Sequence, residues 1–195
     1  MSIRPLPWAT LSAVLAALLL RLRPDWAVFL ILERDAVAKG QVWRFWSGHW
    51  VHFNSSHLLW NVIVVAAAGV WLESLEPRLT RLFWILAPPI VAAAALVGHP
   101  TLDRYAGLSG VAAGLLVALA LREIAAPTGS RAVWVAVLAM VAAKLVAERM
   151  VGEALLADGV RPVPLAHLAG AACGAAAFAA VRRGSRGRPS PPRRR

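Results

Sequence analysis

The chain has 195 residues, of which 59% are hydrophobic and 16% charged, and its formal net charge is +11. With a mean hydropathy of +0.62 it is too apolar for an ordinary soluble domain, and the composition points to an integral membrane protein. A single cysteine, Cys173, excludes an internal disulfide framework, and its place in an apolar run reads as a small buried side chain.

A helix needs about 20 apolar residues to cross a bilayer, and six segments approach that length. The first is residues 5–20, PLPWATLSAVLAALLL, followed by Arg21 and Arg23, which can snorkel. It has the look of a secretory signal, but no A-x-A-like cleavage site follows, so a retained helix is expected. Residues 21–56 then form a long segment with WAVFLIL, too short to span, and tryptophan-rich VWRFW; this composition predicts an interfacial or re-entrant first loop. Further spans are predicted at about 57–75, 82–98, 108–121, 132–147 and 163–181. A membrane domain over 1–181 is expected, with a disordered basic cytoplasmic tail over 182–195.

Seven arginines lie in that tail, RRGSRGRPSPPRRR, which reads as an anchor against anionic lipid rather than a nucleic-acid binder. With both termini cytoplasmic, twelve basic residues fall on the inner side and eight on the outer, five of those eight in the long loop. In this topology the second, fourth and sixth spans all begin at the outer face.

Polar and ionisable residues inside apolar segments are expensive and mark function by default. His57 and Asn61 begin the second span, four residues apart and hence on one helical face. Ser109 begins the fourth, in YAGLSGVAAG, and His167 lies near the start of the sixth, in PVPLAHLAGAACG. Serine is a weak nucleophile until a base takes its proton, and histidine is suited to that near neutral pH. His57, Asn61 and the Ser109 backbone N–H are candidate donors to an oxyanion. These are the parts of acyl transfer, with no cofactor required. Asp158 is the nearest aspartate, nine residues before His167 in a loop, so a Ser–His dyad is expected.

Gly170 and Gly174 share the face of His167, and Gly110, Ala113 and Gly114 follow Ser109; small residues let membrane helices approach closely. Each feature has a plainer reading: Ser109 as a helix cap, His167 as an interhelical hydrogen bond, His57 and Asn61 as ties for the loop. Their coincidence at one depth favours a site. His52 is expected to hold the loop, while His49 and His99 are expected at the interface. Lys144 and Glu148, four apart, are expected to form a structural pair, and Glu73 to bond a neighbouring helix end. The three histidines His49, His52 and His57 straddle a loop-to-helix break without a cysteine or carboxylate at ligand spacing, so no metal is expected.

These residues also carry a resemblance. Trp43–Arg44 followed by His52, His57 and Asn61 is similar to the WR and HxxxxHxxxN pattern of rhomboid intramembrane serine proteases. Gly107-Leu108-Ser109-Gly110 resembles their GxSG motif, and Ala166-His167 with Gly170 and Gly174 resembles AHxxGxxxG. The resemblance covers about residues 43–174. It implies an all-α membrane protein with the six-helix rhomboid fold and a water-filled cavity open to the outer side. It also implies peptide-bond hydrolysis at or near a substrate's transmembrane helix, without a metal, by Ser109 as nucleophile and His167 as base, with His57 and Asn61 as oxyanion donors. GHWVHFNSSHLLWN, YAGLSGV and AAKLVAE look like the rhombosortase subgroup, which implies a bacterial inner-membrane enzyme acting on proteins with a glycine-rich C-terminal anchor. The alternative is an inactive rhomboid-like protein that binds membrane clients. One position departs from the pattern: many rhomboids place an aromatic residue four positions after the serine, against the base, where this chain has Ala113. Another group, such as a tryptophan, is then expected to orient His167.

Overall fold

The computed structural model describes residues 5–127, 130–151 and 160–186. They are overwhelmingly helical. In chain order the helices are α1 (Trp8–Arg21), α2 (Pro24–Leu30), α3 (Arg34–Ala38), α4 (Arg44–Ser47), α5 (Ser55–Leu75), α6 (Pro77–Gly98), α7 (Ser109–Ala125), α8 (Arg131–Val151) and α9 (Pro164–Arg186). Backbone N–H and C=O groups have no water to bond in hydrocarbon, and helices satisfy them within the segment. Among the described residues, α5, α6 and residues Pro164–Arg183 of α9 are long and apolar enough to cross a membrane; α1 is a shorter apolar helix. Large apolar side chains face outward, among them Leu15, Ile63, Ile85, Ile90, Val135 and Met140. A soluble protein does not leave so much apolar surface uncovered.

The helix positions follow the apolar segments closely, with ends shifted by a few residues. The largest differences are at the start of α6, which begins at Pro77 rather than residue 82, and at the end of α9. The tail was expected to be disordered from residue 182, but α9 runs on to Arg186. Loss of apolar character at Arg182 does not stop a helix, because arginine has good helix propensity. The remainder of the expected tail lies outside the described residues.

Buried polar groups fix how the helices meet. The Glu73 carboxylate on α5 accepts the backbone N–H groups of Ala9 and Thr10 at 3.2 and 2.9 Å, capping the first turn of α1. This is the helix-end bond expected for Glu73. A π-helical turn at Val65–Gly69 interrupts α5, and there Gly69 meets Thr10 so closely that an added Cβ would lie 2.6 Å from the threonine methyl. The central core joins α5, α6 and α7 through Val65, Leu72, Phe83, Val111 and Leu115.

Helices α7 and α9 approach closest of all. A Cβ on Gly170 would lie 1.8 Å from the Gly110 carbonyl oxygen, and one on Gly174 would lie 2.0 Å from that of Gly114. The small-residue face expected from the sequence is thus a backbone-to-backbone seam.

The first loop is an ordered clamp. Arg44 is buried and donates to the carbonyls of Val28 and Ile31 and to Gln41 Oε1. Trp43 donates to Phe29 O at 3.4 Å. Strand β1 (Leu32–Glu33) pairs antiparallel with β2 (Arg104–Tyr105), Leu32 opposite Tyr105. Gly107 N–H reaches Gly48 O at 3.3 Å. The loop therefore holds the turn that leads into Ser109.

Candidate active site

The N-terminal ends of α5, α7 and α9 converge on one cavity of about 580 Å³, whose lining includes His57, Asn61, Ser109 and His167. Four residues spread over 110 positions of sequence meet there because three helices start at the same level.

Ser109 is the first residue of α7. It follows Gly107, whose φ of +112° lies in the left-handed region that suits glycine. Space demands glycine as well: a Cβ there would lie 2.4 Å from His57 Cε1. The first N–H groups of a helix have no intrahelical acceptor, so the Ser109 backbone lies where an anion is favoured.

His167 sits one turn into α9 and is 5% exposed. Its Nε2 lies 2.8 Å from Ser109 Oγ. That contact rests on the glycine seam, since Gly110 and Gly170 adjoin Ser109 and follow His167 by one turn. Its Nδ1 lies 2.9 Å from Glu148 Oε2, and Glu148 is 2% exposed. The other carboxylate oxygen, Oε1, accepts from Lys144 Nζ at 2.5 Å. A carboxylate thus stands behind the histidine, and the expected two-residue dyad has a third member in contact.

This corrects two expectations. Lys144 and Glu148 do pair, but the pair is not confined to α8, since Glu148 also reaches across to His167. Among the described residues, the group bonded to the His167 ring opposite Ser109 is this carboxylate, where another group such as a tryptophan was expected. Asp158 lies outside the described residues. The missed signal was present in the sequence: a carboxylate in an apolar helix is as costly there as a histidine. The i,i+4 lysine supplies a local explanation for it and hides the longer contact.

His57 and Asn61 are both buried. Asn54 caps α5, its Oδ1 accepting from His57 N–H at 2.8 Å. The His57 ring stacks on Phe53, with centroids 6.3 Å apart, and meets His52 edge-on at 5.1 Å. His57 Nδ1 and Asn61 Nδ2 are buried without a hydrogen-bond partner among the described residues. Unsatisfied buried polar atoms are uncommon and costly.

The remaining histidines separate. His52 contacts Trp50 O through Nδ1 at 3.1 Å and packs on His57. Burial, then the nearby His57 charge, pushes its pKa down to about 3. His49 was expected at the interface but is almost wholly buried. Its ring nitrogens lie against Gly107 O at 3.1 Å and Pro88 O at 2.8 Å, bridging the serine turn to α6. Burial lowers its pKa, so the ring is neutral and donates to one of the two carbonyls. Its hydrophobic neighbours gave no sequence clue, because its partners are main-chain atoms distant in the chain. His99 is exposed.

The Rhomboid domain family model matches residues 39–184, about three quarters of the chain. Among curated proteins the chain has no significant match. A match of that extent, on an all-helical chain with apolar helices that fit a multi-pass membrane protein, establishes that this chain belongs to the rhomboid family.

Proposed function

We propose that this protein is an active intramembrane serine endopeptidase that cleaves membrane-anchored proteins at or near their transmembrane helix. The observation that carries the reading is the 2.8 Å contact between Ser109 Oγ and His167 Nε2 inside a cavity among apolar helices. Ser109 attacks the scissile carbonyl carbon while His167 Nε2 takes the hydroxyl proton. The tetrahedral oxyanion is held by the Ser109 backbone N–H, the His57 ring and the Asn61 amide, whose Nδ2 is buried without a partner among the described residues. His167 returns the proton to the leaving amine, and the C–N bond breaks to give an acyl-enzyme. Water, deprotonated by the same base, then releases the second product.

The topology belongs to the same proposal: six spans within residues 1–181, both termini cytoplasmic, the cavity opening to the periplasmic side of a bacterial inner membrane, and a basic tail on the cytoplasmic lipid surface. So does the substrate class. The stretches GHWVHFNSSHLLWN, YAGLSGV and AAKLVAE support a rhombosortase-like enzyme acting on glycine-rich C-terminal anchors. The competing reading, an inactive client-binding protein, is disfavoured by a serine and histidine that are both present and in contact.

A fluorophosphonate probe in detergent tests the activity. The wild type should label, and Ser109→Ala and His167→Ala should not. Labelling that survives Ser109→Ala would sink the assignment. For the substrate class, the enzyme is co-expressed with an exported protein carrying a glycine-rich C-terminal anchor. Release of that protein is expected, and its retention beside active enzyme would refute the subgroup.

A further inference from the structure

We infer that Glu148 is a positioning residue for His167, and that Lys144 holds Glu148 in the register this requires, so that the site works as Ser109–His167–Glu148 with a lysine behind it. The inference rests on the reading of Ser109 and His167 as nucleophile and base.

The argument starts from donors and acceptors. A neutral imidazole carries one N–H. An ionised carboxylate only accepts. With Glu148 Oε2 at 2.9 Å from Nδ1, the proton must sit on Nδ1, which leaves the Nε2 lone pair facing Ser109 Oγ at 2.8 Å. That is the tautomer a general base needs. The reverse tautomer would set a lone pair against a carboxylate and give Ser109 nothing to donate to.

Charge makes the same point. When His167 takes the serine proton it becomes an imidazolium in surroundings of low dielectric. A carboxylate in contact stabilises that state far more than it would in water. An isolated carboxylate buried there would be prohibitively costly. Lys144 Nζ, 2.5 Å from the other oxygen, offsets that cost and keeps Glu148 ionised. It also fixes the carboxylate's rotation, since one oxygen is committed to each partner.

Space completes it. Ala113 offers only a methyl group to the cavity from α7, so no ring packs on His167 from that side. Glu148 approaches from α8 and links α8 to α9 at the depth of the nucleophile. Besides Glu148 and Lys144 on α8, the titratable and charged groups around this cavity among the described residues are His57 on α5, Arg104 and Tyr105 on β2, and Arg161 just before α9. Of these charged and titratable groups, only Glu148 is a carboxylate.

The test is the second-order rate of fluorophosphonate labelling of the full chain in detergent, from pH 5 to 9, for the wild type, Glu148→Gln, Lys144→Gln and Ser109→Ala. In Glu148→Gln the side-chain amide can donate to Nδ1 and so favours the wrong tautomer. The rate should fall on the order of 10²–10⁴-fold. The acid limb of its residual rate should move to lower pH, because the protonated ring has lost its counter-charge. Lys144→Gln should slow labelling less, within about 10-fold, and move the acid limb the opposite way, because the Glu148 charge is no longer shared.

Wild-type rates in Glu148→Gln would overturn the inference, as would acid limbs that stay put in both variants. Should Glu148→Gln fail to fold, as judged by its melting transition, the Lys144→Gln limb decides alone, and no shift there overturns the proposal. Labelling that persists in Ser109→Ala is a different failure: it removes the nucleophile assignment whatever Glu148 does.

Discussion

Gly170→Ala is the sharpest test of how the fold makes the site. Helix propensity alone favours alanine by about 1 kcal/mol. The structure predicts the opposite outcome. The new methyl carbon would lie 1.8 Å from the Gly110 carbonyl oxygen, where real contacts require at least about 3 Å. The obstacle is backbone, not a flexible side chain, so α7 and α9 must part by roughly 1.2 Å. Gly110 adjoins Ser109, and Gly170 lies one turn beyond His167. A displacement of that size applied to the 2.8 Å Ser109–His167 contact stretches it to about 4 Å, beyond any hydrogen bond. Overpacking costs about 1–3 kcal/mol, which exceeds the propensity gain. Labelling should therefore fall about 10²–10⁴-fold, the usual worth of a general base, with a lower melting temperature in detergent. Labelling within threefold of wild type would show that the seam does not set the catalytic distance.

Two further outcomes are expected. Asn61→Ala should slow labelling and cleavage by about 10²–10³-fold as an oxyanion donor is lost, while the melting temperature holds or rises because a buried unpaired donor goes with it; parallel loss of both would mean that Asn61 is structural. Acid should destabilise the fold: His52 is held neutral, its pKa pushed down to about 3 against an ordinary 6.5, so the unfolded chain binds the proton first and stability falls as pH drops from about 6.5 towards 3. Thermal melts at pH 7.5 and 5 should show this, and His52→Gln should flatten the dependence; an unchanged slope in that variant would refute it.

The sequence by itself determined the elements and most of the parts. Apolar runs satisfy their backbone groups as helices, so the segments around α1 and α5 to α9 were legible as helices, as was the face shared by His167, Gly170 and Gly174. His57, Asn61, Ser109 and His167 stood out because polar groups in apolar runs have few plain explanations. The tertiary structure decided what each of them touches. Glu148 had a sufficient local partner in Lys144, and nothing in the spacing of α8 shows which way its second oxygen points. His49 looked like a surface histidine because its acceptors, the carbonyls of Pro88 and Gly107, are main-chain atoms 39 and 58 residues away. Periodicity along one helix reports the side of the helix a residue occupies. Which neighbour fills that side depends on how closely the helices pack, and here two glycine pairs set that distance.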